Sequence, residues 1–476
     1  MSRWYTLICC LFFLPVVSSS QTITISEDLS IRNDKYYKVV GKLKNRFLLF
    51  RDQATKFEVQ AFDENLRLSW DKEIELDKKR PEILEVIPGK EHFDLFYKFR
   101  QKGRTVVKMH RYDPAANMQD SMTVVNYGNR FYNISPTIIY SENRKTALIY
   151  HYERQTEIEA IAFDLQQKGV IWQKKFKLPD LGFYREFQQI LVDNSGTMYY
   201  VVEKKNKKST LEDHHFVIYQ CDETTEGVDQ FKIPMDEYLT YDVYFQVDNL
   251  NNQLVAGGLY SEKNKGKANG YFYLRASTRD PKQQLAKYQA FDDEFVSNLL
   301  GKNVEDNKGI TDIDVQELVL RRDGGILMIA ERNREYERRM TSTGRGYIGR
   351  DGHHYIVDYY YDDICLLSLH PSGETHWKTI LHKRQYSQDD EAVFSSFFLL
   401  KTPGNLRFLF NDEIRDENTV SEYIVNGGGE YDRNSLMSTD DQKIRLRFRD
   451  GLQVGARELI VPSERRNRLK LVRVQY

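Results

Sequence analysis

Apolar and polar residues alternate along most of this chain, and short polar turns interrupt the alternation at intervals. A two-residue period is typical of strands with one buried face, and very little of the chain shows the 3.6-residue period of a helix. The sequence therefore predicts an all-β protein. The main exception is the segment 292–300, whose pattern fits one short helix.

Two kinds of predicted hairpin recur along the chain. In the first kind, a polar turn of three to six residues joins two apolar strands, and the seven copies have their turns at residues 41–45, 88–91, 142–145, 193–196, 249–252, 322–325 and 402–405. In the second kind, an alternating strand ends in an apolar residue followed by Asp or His, and a tryptophan comes seven or eight residues later. The complete copies run from Asp63 to Trp70, from Asp164 to Trp172 and from His370 to Trp377, and copies without tryptophan end at Asp113 and Asp222.

Two hairpins per unit make four strands, which is the composition of one β-propeller blade. We therefore expect a single β-propeller of seven four-stranded blades, with six or eight blades left open. The spacing between first hairpins grows from near 50 to about 70–80 residues, so insertions are expected in the later blades. A pair of β-sandwiches or a solenoid is the alternative, but radial closure protects sheet edges better. The strand at 469–474 is expected to close the ring or to complete the last blade beside a strand at 22–25.

The amino-terminal segment has the pattern of a secretory signal peptide. Arg3 precedes an apolar stretch from 7 to 17, and the small residues Ser18 and Ser20 precede Gln21. About 11–13 apolar residues are too few to span a bilayer. We expect a signal peptide at 1–20, a propeller domain at 21–476 and a secreted protein without a membrane span, in the periplasm, on the cell surface or outside the cell.

The composition indicates which classes of partner are unsupported and whether the cysteines form disulfides. The chain has 69 Lys and Arg against 70 Asp and Glu, which gives no electrostatic case for a nucleic-acid partner. Only Cys221 and Cys365 follow the predicted cleavage site, and both lie in predicted strands. We therefore expect two buried free thiols rather than a disulfide framework.

The most unusual segment is 332–363, which has a basic first half and an acidic, tyrosine-rich second half. Long loops on a rigid scaffold commonly carry function, and Arg and Tyr are enriched where proteins bind partners. We therefore predict a partner-binding surface formed by Arg338, Arg339, Arg345, Tyr355, Tyr359 and Tyr361. The alternative is an extended hairpin in which the two oppositely charged halves pair with each other.

The same segment contains two patterns that suggest other chemistry. Residues 344–349 match the Gly-x-Gly-x-x-Gly spacing, but no strand-helix unit surrounds them, so we predict a glycine loop without a cofactor. His353 and His354 lie near Asp358, but adjacent residues of a strand point to opposite faces, so no metal site is predicted. No sequence motif for nucleophilic or metal-dependent hydrolysis is present, and catalytic residues stay unknown.

The tryptophan-bearing repeats, above all 162–172, resemble those of pyrroloquinoline-quinone-type propellers. The stretch 359–364, with Trp377 and 408–412, is similar to secreted bacterial envelope propellers of unknown function. The resemblance implies the propeller fold and brings no catalytic residues. Quinone-dependent dehydrogenases of this fold have a vicinal cysteine pair, whereas Cys9 and Cys10 lie in the predicted signal peptide, so no cofactor is expected.

These observations favour a secreted or envelope-associated binding or scaffolding module for a protein or glycan partner. The alternative is an extracellular carbohydrate-active enzyme, a hydrolase or lyase, with carboxylates in the propeller funnel. The side chains along the central channel distinguish the two hypotheses, because acid-base catalysis needs convergent carboxylates.

Overall fold

The computed structural model describes residues 21–78, 80–153, 157–177, 186–263, 265–303, 309–339, 347–348, 354–412, 414, 419–438 and 444–476. Their strands form eight antiparallel sheets that follow one another along the chain. We number the sheets as blades 1 to 8 and call the four main strands of each blade A to D in the order of their pairing.

The strand bounds are as follows. The described chain opens with β1 (Thr22–Ile25) and β2 (Leu29–Ser30), which belong to blade 8. Blades 1 and 2 contain β3 (Tyr36–Leu43), β4 (Arg46–Asp52), β5 (Phe57–Phe62) and β6 (Leu68–Ile74), then β7 (Glu82–Pro88), β8 (Phe93–Gln101), β9 (Arg104–Tyr112) and β10 (Met118–Asn129). Blades 3 and 4 contain β11 (Thr137–Tyr140), β12 (Thr146–Glu153), β13 (Glu157–Asp164) and β14 (Gly169–Lys177), then β15 (Phe187–Val192), β16 (Met198–Lys204), β17 (His215–Cys221) and β18 (Asp229–Pro234).

The later blades are less regular. Blade 5 contains β19 (Leu239–Asp248), β20 (Gln253–Ser261), β21 (Gly270–Ser277) and β22 (Gln284–Ala290), and blade 6 contains β23 (Ile313–Leu320), β24 (Ile326–Arg339), β25 (Tyr347–Ile348), β26 (His354–Leu369), β27 (Thr375–Leu381) and β28 (Gln385–Gln388). Blade 7 contains β29 (Phe398–Lys401), β30 (Leu406–Asn411), β31 (Thr419–Val425) and β32 (Tyr431–Ser438), and blade 8 contains β33 (Leu452–Gly455), β34 (Glu458–Arg465) and β35 (Arg468–Gln475). Among the described residues, the helical segments include α1 (Asp293–Leu300) and two 3-10 turns, Lys208–Asp213 and Phe448–Asp450.

Hydrophobic clusters fill the gaps between neighbouring blades, one in each of the eight gaps of the described fold. Because side chains alternate along a strand, each strand serves two gaps. In β4, Leu48 and Phe50 pack against blade 2, whereas Phe47 and Leu49 pack against blade 8. The cluster between blades 8 and 1 closes the ring. The A strands of neighbouring blades approach each other and therefore surround the central axis.

The two ends of the described chain meet in blade 8. Strand β1 pairs with β35, with Thr22 opposite Gln475 and Ile25 opposite Val472, and β2 continues along the same strand. The amino-terminal strand thus supplies the outermost position of the last blade and covers an edge that β35 would otherwise expose. The predicted pairing of these two segments is confirmed.

The single all-β propeller is confirmed, but it has eight blades, and the expectation of seven is wrong. The seven predicted first hairpins are the A–B hairpins of blades 1 to 7. Blade 8 escaped detection because its D position comes from the other end of the chain, so no continuous stretch of sequence contains its four strands.

The second predicted hairpins are the C–D turns. Asp63, Asp113 and Asp164 each accept backbone N–H groups two to four residues further on, which fixes the turn. The indole Nε1 of Trp172 donates to the Gly196 carbonyl of the next blade at 2.9 Å. Trp377 makes the same kind of bond to the Gly427 carbonyl of blade 7 at 2.9 Å, so two of the repeat tryptophans join neighbouring blades. Cys221 and Cys365 are buried free thiols, as expected.

Each blade presents its A–B and C–D turns on one face of the ring and its B–C turns and blade-to-blade connections on the other. We call these the turn face and the connection face. Helix α1 lies in the connection from blade 5 to blade 6, close to the predicted span; Asp292 caps its first turn and Gly301 ends it with a φ of 62°. As expected, the insertions lie in later blades, and those of blade 6 are on the connection face.

Polar bridges between A strands line the central channel. In blades 2, 4, 5 and 6 a β-bulge in strand A precedes a carboxylate or amide side chain that reaches strand A of a neighbouring blade. The bonds join Glu85 to Lys38, Gln189 to the Phe245 backbone (2.9 and 3.0 Å), Asp242 to the Val315 N–H (2.6 Å) and Glu317 to Lys401 (2.7 Å). These side chains hold the blades together at the axis.

Candidate functional site

Blade 6 carries a second sheet beyond the ring. Strands β24 and β26 have 14 and 16 residues, whereas the B and C strands of the other blades have six to nine. Strand β28, from the connection to blade 7, pairs with the outer part of β26. We call residues 333–339, 354–361 and 385–388 the projecting sheet. The sequence predicted a two-stranded hairpin, since the four residues of β28 carry no strand signal of their own.

Arg338, one of the predicted binding residues, is ion-paired within the projecting sheet. Its Nε and Nη2 atoms donate to the two carboxylate oxygens of Asp358. Asp358 also accepts from the Tyr386 hydroxyl at 2.7 Å and the Gln388 amide at 3.0 Å. The Arg338 hydrogen bond, followed by those of Tyr386 and Gln388, holds the pKa of Asp358 below its ordinary value. Here the basic and acidic halves pair, as in the alternative interpretation.

The strand register shows on which face of the projecting sheet the predicted tyrosines lie. In the register of β24 and β26, Tyr359 is opposite Glu335 and Tyr355 is opposite Arg339. Glu335 and Arg339 are both an odd number of positions from Arg338 along β24. Since alternate residues share a face, Tyr355, Tyr359 and Tyr361 lie on the face opposite Arg338. We call it the Tyr359 face. Arg345 and most of the glycine motif 344–349 lie outside the described residues.

The Tyr359 face is acidic. Burial and then the carboxylates of Glu335, Asp390, Glu391 and Asp389 raise the pKa of Tyr359. At the inner end of this face, the Arg449 guanidinium from the segment before blade 8 lies 4.7 Å from the Tyr361 ring centre. Tyr361 is therefore engaged within the ring, and the outer part of the face, around Tyr359 and Glu335, is left for contact with another molecule.

A buried ion pair anchors the base of the projecting sheet. Lys383 Nζ lies 2.6 Å from Glu331 Oε1, and both side chains are 0% exposed. Lys383 also donates to the Tyr361 carbonyl at 3.1 Å and to Gln385 at 2.9 Å, and Glu331 accepts from the Ser396 hydroxyl at 2.6 Å. Burial lowers the pKa of Lys383, and Glu331 opposes that shift. Sequence reasoning missed this pair, although a glutamate directly after the apolar run 326–330 is a signal for a buried partner.

A charged cavity of about 870 Å³ lies beside this anchor on the connection face. The end of α1, the base of the projecting sheet, the segment 382–384 and blade 7 line it. His382 Nδ1 lies 3.1 Å from Asp363 Oδ1, and burial raises the pKa of Asp363 against the opposing effect of His382. His382 and Arg384 were not predicted, because a short His-Lys-Arg run after a strand looks like an ordinary solvated turn.

Carboxylates of the A strands bear on the enzyme hypothesis, and burial, followed by the nearby carboxylates of Asp314 and Glu203, raises the pKa of Asp242. Glu85, Asp242 and Glu317 are each bonded to a neighbouring blade. Among the residues that the structure describes, no group of three or more His, Cys, Asp or Glu side chains is arranged to hold a metal ion. No helix in the described ranges is both long enough and apolar enough to cross a bilayer.

The eight radial sheets, the closed ring of hydrophobic clusters and the amino-terminal clasp define an eight-bladed β-propeller. The sequence matches no protein-family model and no curated protein sequence. Among solved structures, it is similar to dipeptidyl peptidase 4 of Porphyromonas gingivalis, with 10% identity, a TM-score of 0.46, and coverage of 90% of this chain and 56% of that chain.

Two isolated propellers are also similar. For the β-propeller domain of the Trilobed protease from Pyrococcus furiosus, the identity is 10% and the TM-score 0.37, over 86% of this chain and 100% of that chain. For the β-propeller domain of Vanderwaltozyma polyspora Nup133, the values are 9% and 0.36, over 82% and 99%. At these identities and TM-scores, the activities of those proteins say nothing about this one.

Proposed function

We propose that this protein is a secreted or envelope-associated binding module that recognises a protein or glycan partner through the Tyr359 face of the projecting sheet. The observation that carries the proposal is the sheet itself, because a three-stranded element anchored by a buried ion pair extends from the connection face of a rigid ring. Binding residues are commonly found on such extensions of a scaffold.

The chemistry of the face supports a narrower choice of partner. Arg338 is neutralised by Asp358, whereas Glu335, Asp389 and Glu391 are exposed around Tyr359. Tyrosine gives a large contact area at low entropic cost, and carboxylates accept hydrogen bonds from cationic side chains and from sugar hydroxyls. The face therefore suits a basic protein segment or a hydroxyl-rich glycan.

Binding assays with the exported protein test this proposal. Captured proteins from an envelope extract and a glycan array are compared for the wild type, the double variant Tyr355→Ala/Tyr359→Ala and the control Tyr431→Ala, which truncates an exposed tyrosine near the turn face. We expect the double variant to lose at least about tenfold in binding, since truncating a central interface tyrosine often costs 2 kcal/mol or more. Binding equal to that of the wild type and the control would reject the Tyr359 face.

Secretion is tested separately. Residues 1–20 lie outside the described part of the chain, and the proposal rests on their sequence pattern. Amino-terminal sequencing of exported protein is expected to start at Gln21 or within a few residues of it. An exported protein that retains Met1 would contradict cleavage.

A further inference from the structure

The cavity beside the projecting sheet has an unusual wall. Between the pairs Glu331–Ile364 and Asn333–Tyr361, one residue of β24, Arg332, faces two residues of β26, Asp362 and Asp363. Such a bulge turns side chains that would otherwise point to opposite faces, and bulges are common next to binding sites. Here both carboxylates line the same cavity.

The ion pairs of this wall are too long to be hydrogen bonds. Arg332 Nη1 lies 3.8 Å from Asp363 Oδ2, and Arg334 Nη2 lies 3.9 Å from Asp362 Oδ2. A charge-assisted hydrogen bond between these groups is about 2.7–2.9 Å long. These two arginine–aspartate pairs therefore balance charge without a hydrogen bond between the partners, while Arg332 Nη1 donates to the Leu299 carbonyl at 3.4 Å and Asp363 Oδ1 is bonded to His382 at 3.1 Å.

Three buried polar atoms of the same wall have no hydrogen-bond partner in the described part of the chain: Arg332 Nε, Arg334 Nε and Asp362 Oδ1. Leaving a buried donor or acceptor unpaired costs about 1–3 kcal/mol, so this wall has bonding capacity that a water molecule or a ligand completes. Arg384 lies at the cavity and is exposed, and it forms no hydrogen bond or ion pair with the described residues.

The charge of the lining indicates the class of ligand. Five Lys and Arg side chains face three Asp side chains among the described lining residues. Lys383 is neutralised by Glu331, and Arg433 Nη2 is bonded to Asp412 at 2.7 Å. This leaves the charges of Arg332, Arg334 and Arg384 against those of Asp362 and Asp363. A ligand with a net negative charge neutralises the remaining positive charge of the cavity, whereas a zwitterion does not.

We propose that this cavity binds an anionic sugar. The carboxylate or phosphate group of the sugar is held by Arg384 together with Arg332 and Arg334. A hydroxyl group of the sugar donates a hydrogen bond to Asp362 Oδ1. Arginine is suited to both anions because its planar fork matches their oxygens. The volume of about 870 Å³ lies within the usual range of ligand pockets and has room for more than one sugar ring.

The site is separate from the surface of the proposed function. Arg334 lies on the Arg338 face of the projecting sheet, opposite Tyr359. Partner recognition at the Tyr359 face and sugar binding in the cavity can therefore fail independently, and Tyr359→Ala is expected to leave sugar binding unchanged.

Calorimetric titration of the exported full-length protein tests the inference. The probes are D-glucuronate for a carboxylate, D-glucose 6-phosphate for a phosphate, neutral D-glucose, inorganic phosphate and the zwitterionic L-glutamate. The variants are Arg384→Gln and Asp362→Asn, with Arg67→Gln as a matched exposed arginine at a C–D turn of blade 1. Arg384→Gln changes an exposed side chain, so this variant keeps the test valid even where Asp362→Asn fails to fold.

We expect at least one acidic sugar to bind with a Kd below about 1 mM and D-glucose to bind at least tenfold more weakly. Arg384→Gln should weaken acidic-sugar binding about tenfold or more, since it removes a charge-assisted hydrogen bond, and Arg67→Gln should not change it. Asp362→Asn removes a negative charge from the cavity, so it should strengthen the binding of inorganic phosphate, and it should strengthen acidic-sugar binding less or weaken it, because the sugar also loses a charge-assisted hydrogen bond.

Three results would overturn the inference. The first is that neither acidic sugar binds. The second is that inorganic phosphate binds as tightly as D-glucose 6-phosphate and that Asp362→Asn changes the binding of both equally, which would indicate an adventitious ion only. The third is that L-glutamate binds more tightly than both acidic sugars, which would assign the cavity to zwitterionic ligands.

Discussion

Replacing Lys383 by methionine is expected to destabilise the protein strongly, because Glu331 then stays buried without its cation. The variant loses the 2.6 Å ion pair and the donors to the Tyr361 carbonyl and to Gln385. Removing one partner of a buried ion pair typically costs about 3–5 kcal/mol. The unfolding entropy of a chain this long is on the order of 1 kcal/mol/K, so the melting temperature should fall by about 3–5 °C.

Thermal unfolding followed by circular dichroism measures this effect, and the chain offers a matched control. Lys401 forms an ion pair of 2.7 Å with Glu317, but the two side chains are 46% and 35% exposed. Lys401→Met should therefore cost less than about 1 kcal/mol. Glu331→Gln combined with Lys383→Met removes both charges and should recover most of the loss. If Lys383→Met has the same melting temperature as Lys401→Met, the anchoring role of the Lys383–Glu331 pair is refuted.

The pH dependence gives an independent check. Burial lowers the pKa of Lys383 in the folded state below its ordinary value near 10.4. Between the folded and the unfolded pKa, the unfolded state binds more protons, so the contribution of this group to stability rises with pH. The difference in melting temperature between the wild type and Lys383→Met should therefore widen as pH rises through that interval. A difference that narrows there would contradict the assigned direction.

The remaining predictions concern the axis and the clasp of the ring. Burial raises the pKa of Asp242 from 3.8 to about 6, so its folded-state proton stabilises the protein at low pH and this contribution is lost as pH rises through about 6. Asp242→Asn should then be more stable than the wild type at pH 8, by about 3 kcal/mol, and equal to it below pH 4. A pH-independent difference in urea unfolding would reject this assignment. Deleting residues 21–26 removes β1, exposes the edge of β35 and uncovers the packing of Ile23 and Ile25, so the unfolding free energy should drop by about 4 kcal/mol or more, whereas an unchanged melt would show that the clasp contributes nothing.

The local elements of the fold were readable in the sequence. The alternation of apolar residues and the Asp-initiated turns gave both hairpins of most blades, and the helix at 292–300 was visible from its cap and apolar pattern. These features depend on residues a few positions apart, because a turn or a helix cap is satisfied by its own neighbours in the chain. The alternating strands at 22–25 and 469–474 likewise indicated that the chain ends meet.

The blade count and the candidate sites were decided by the tertiary structure. Blade 8 has a fourth strand only because β1 pairs with β35, more than 400 residues away. The predicted binding segment contained both Arg338 and Asp358, but only the register of β24 against β26 shows that they neutralise each other and leave the tyrosines on the other face. Lys383 and Glu331 are 52 positions apart, and nothing local to either residue names its partner.

The cavity shows the same limit. One wall of the cavity depends on a bulge that places Arg332 opposite two carboxylates. Its rim depends on Arg384, which comes from the separate segment 382–384. Hydrophobic periodicity determines which face of a strand is buried, since every residue of the strand contributes to that burial. The pairing of single charges across a ring depends on distances between segments, and those distances are fixed only when the blades close on one another.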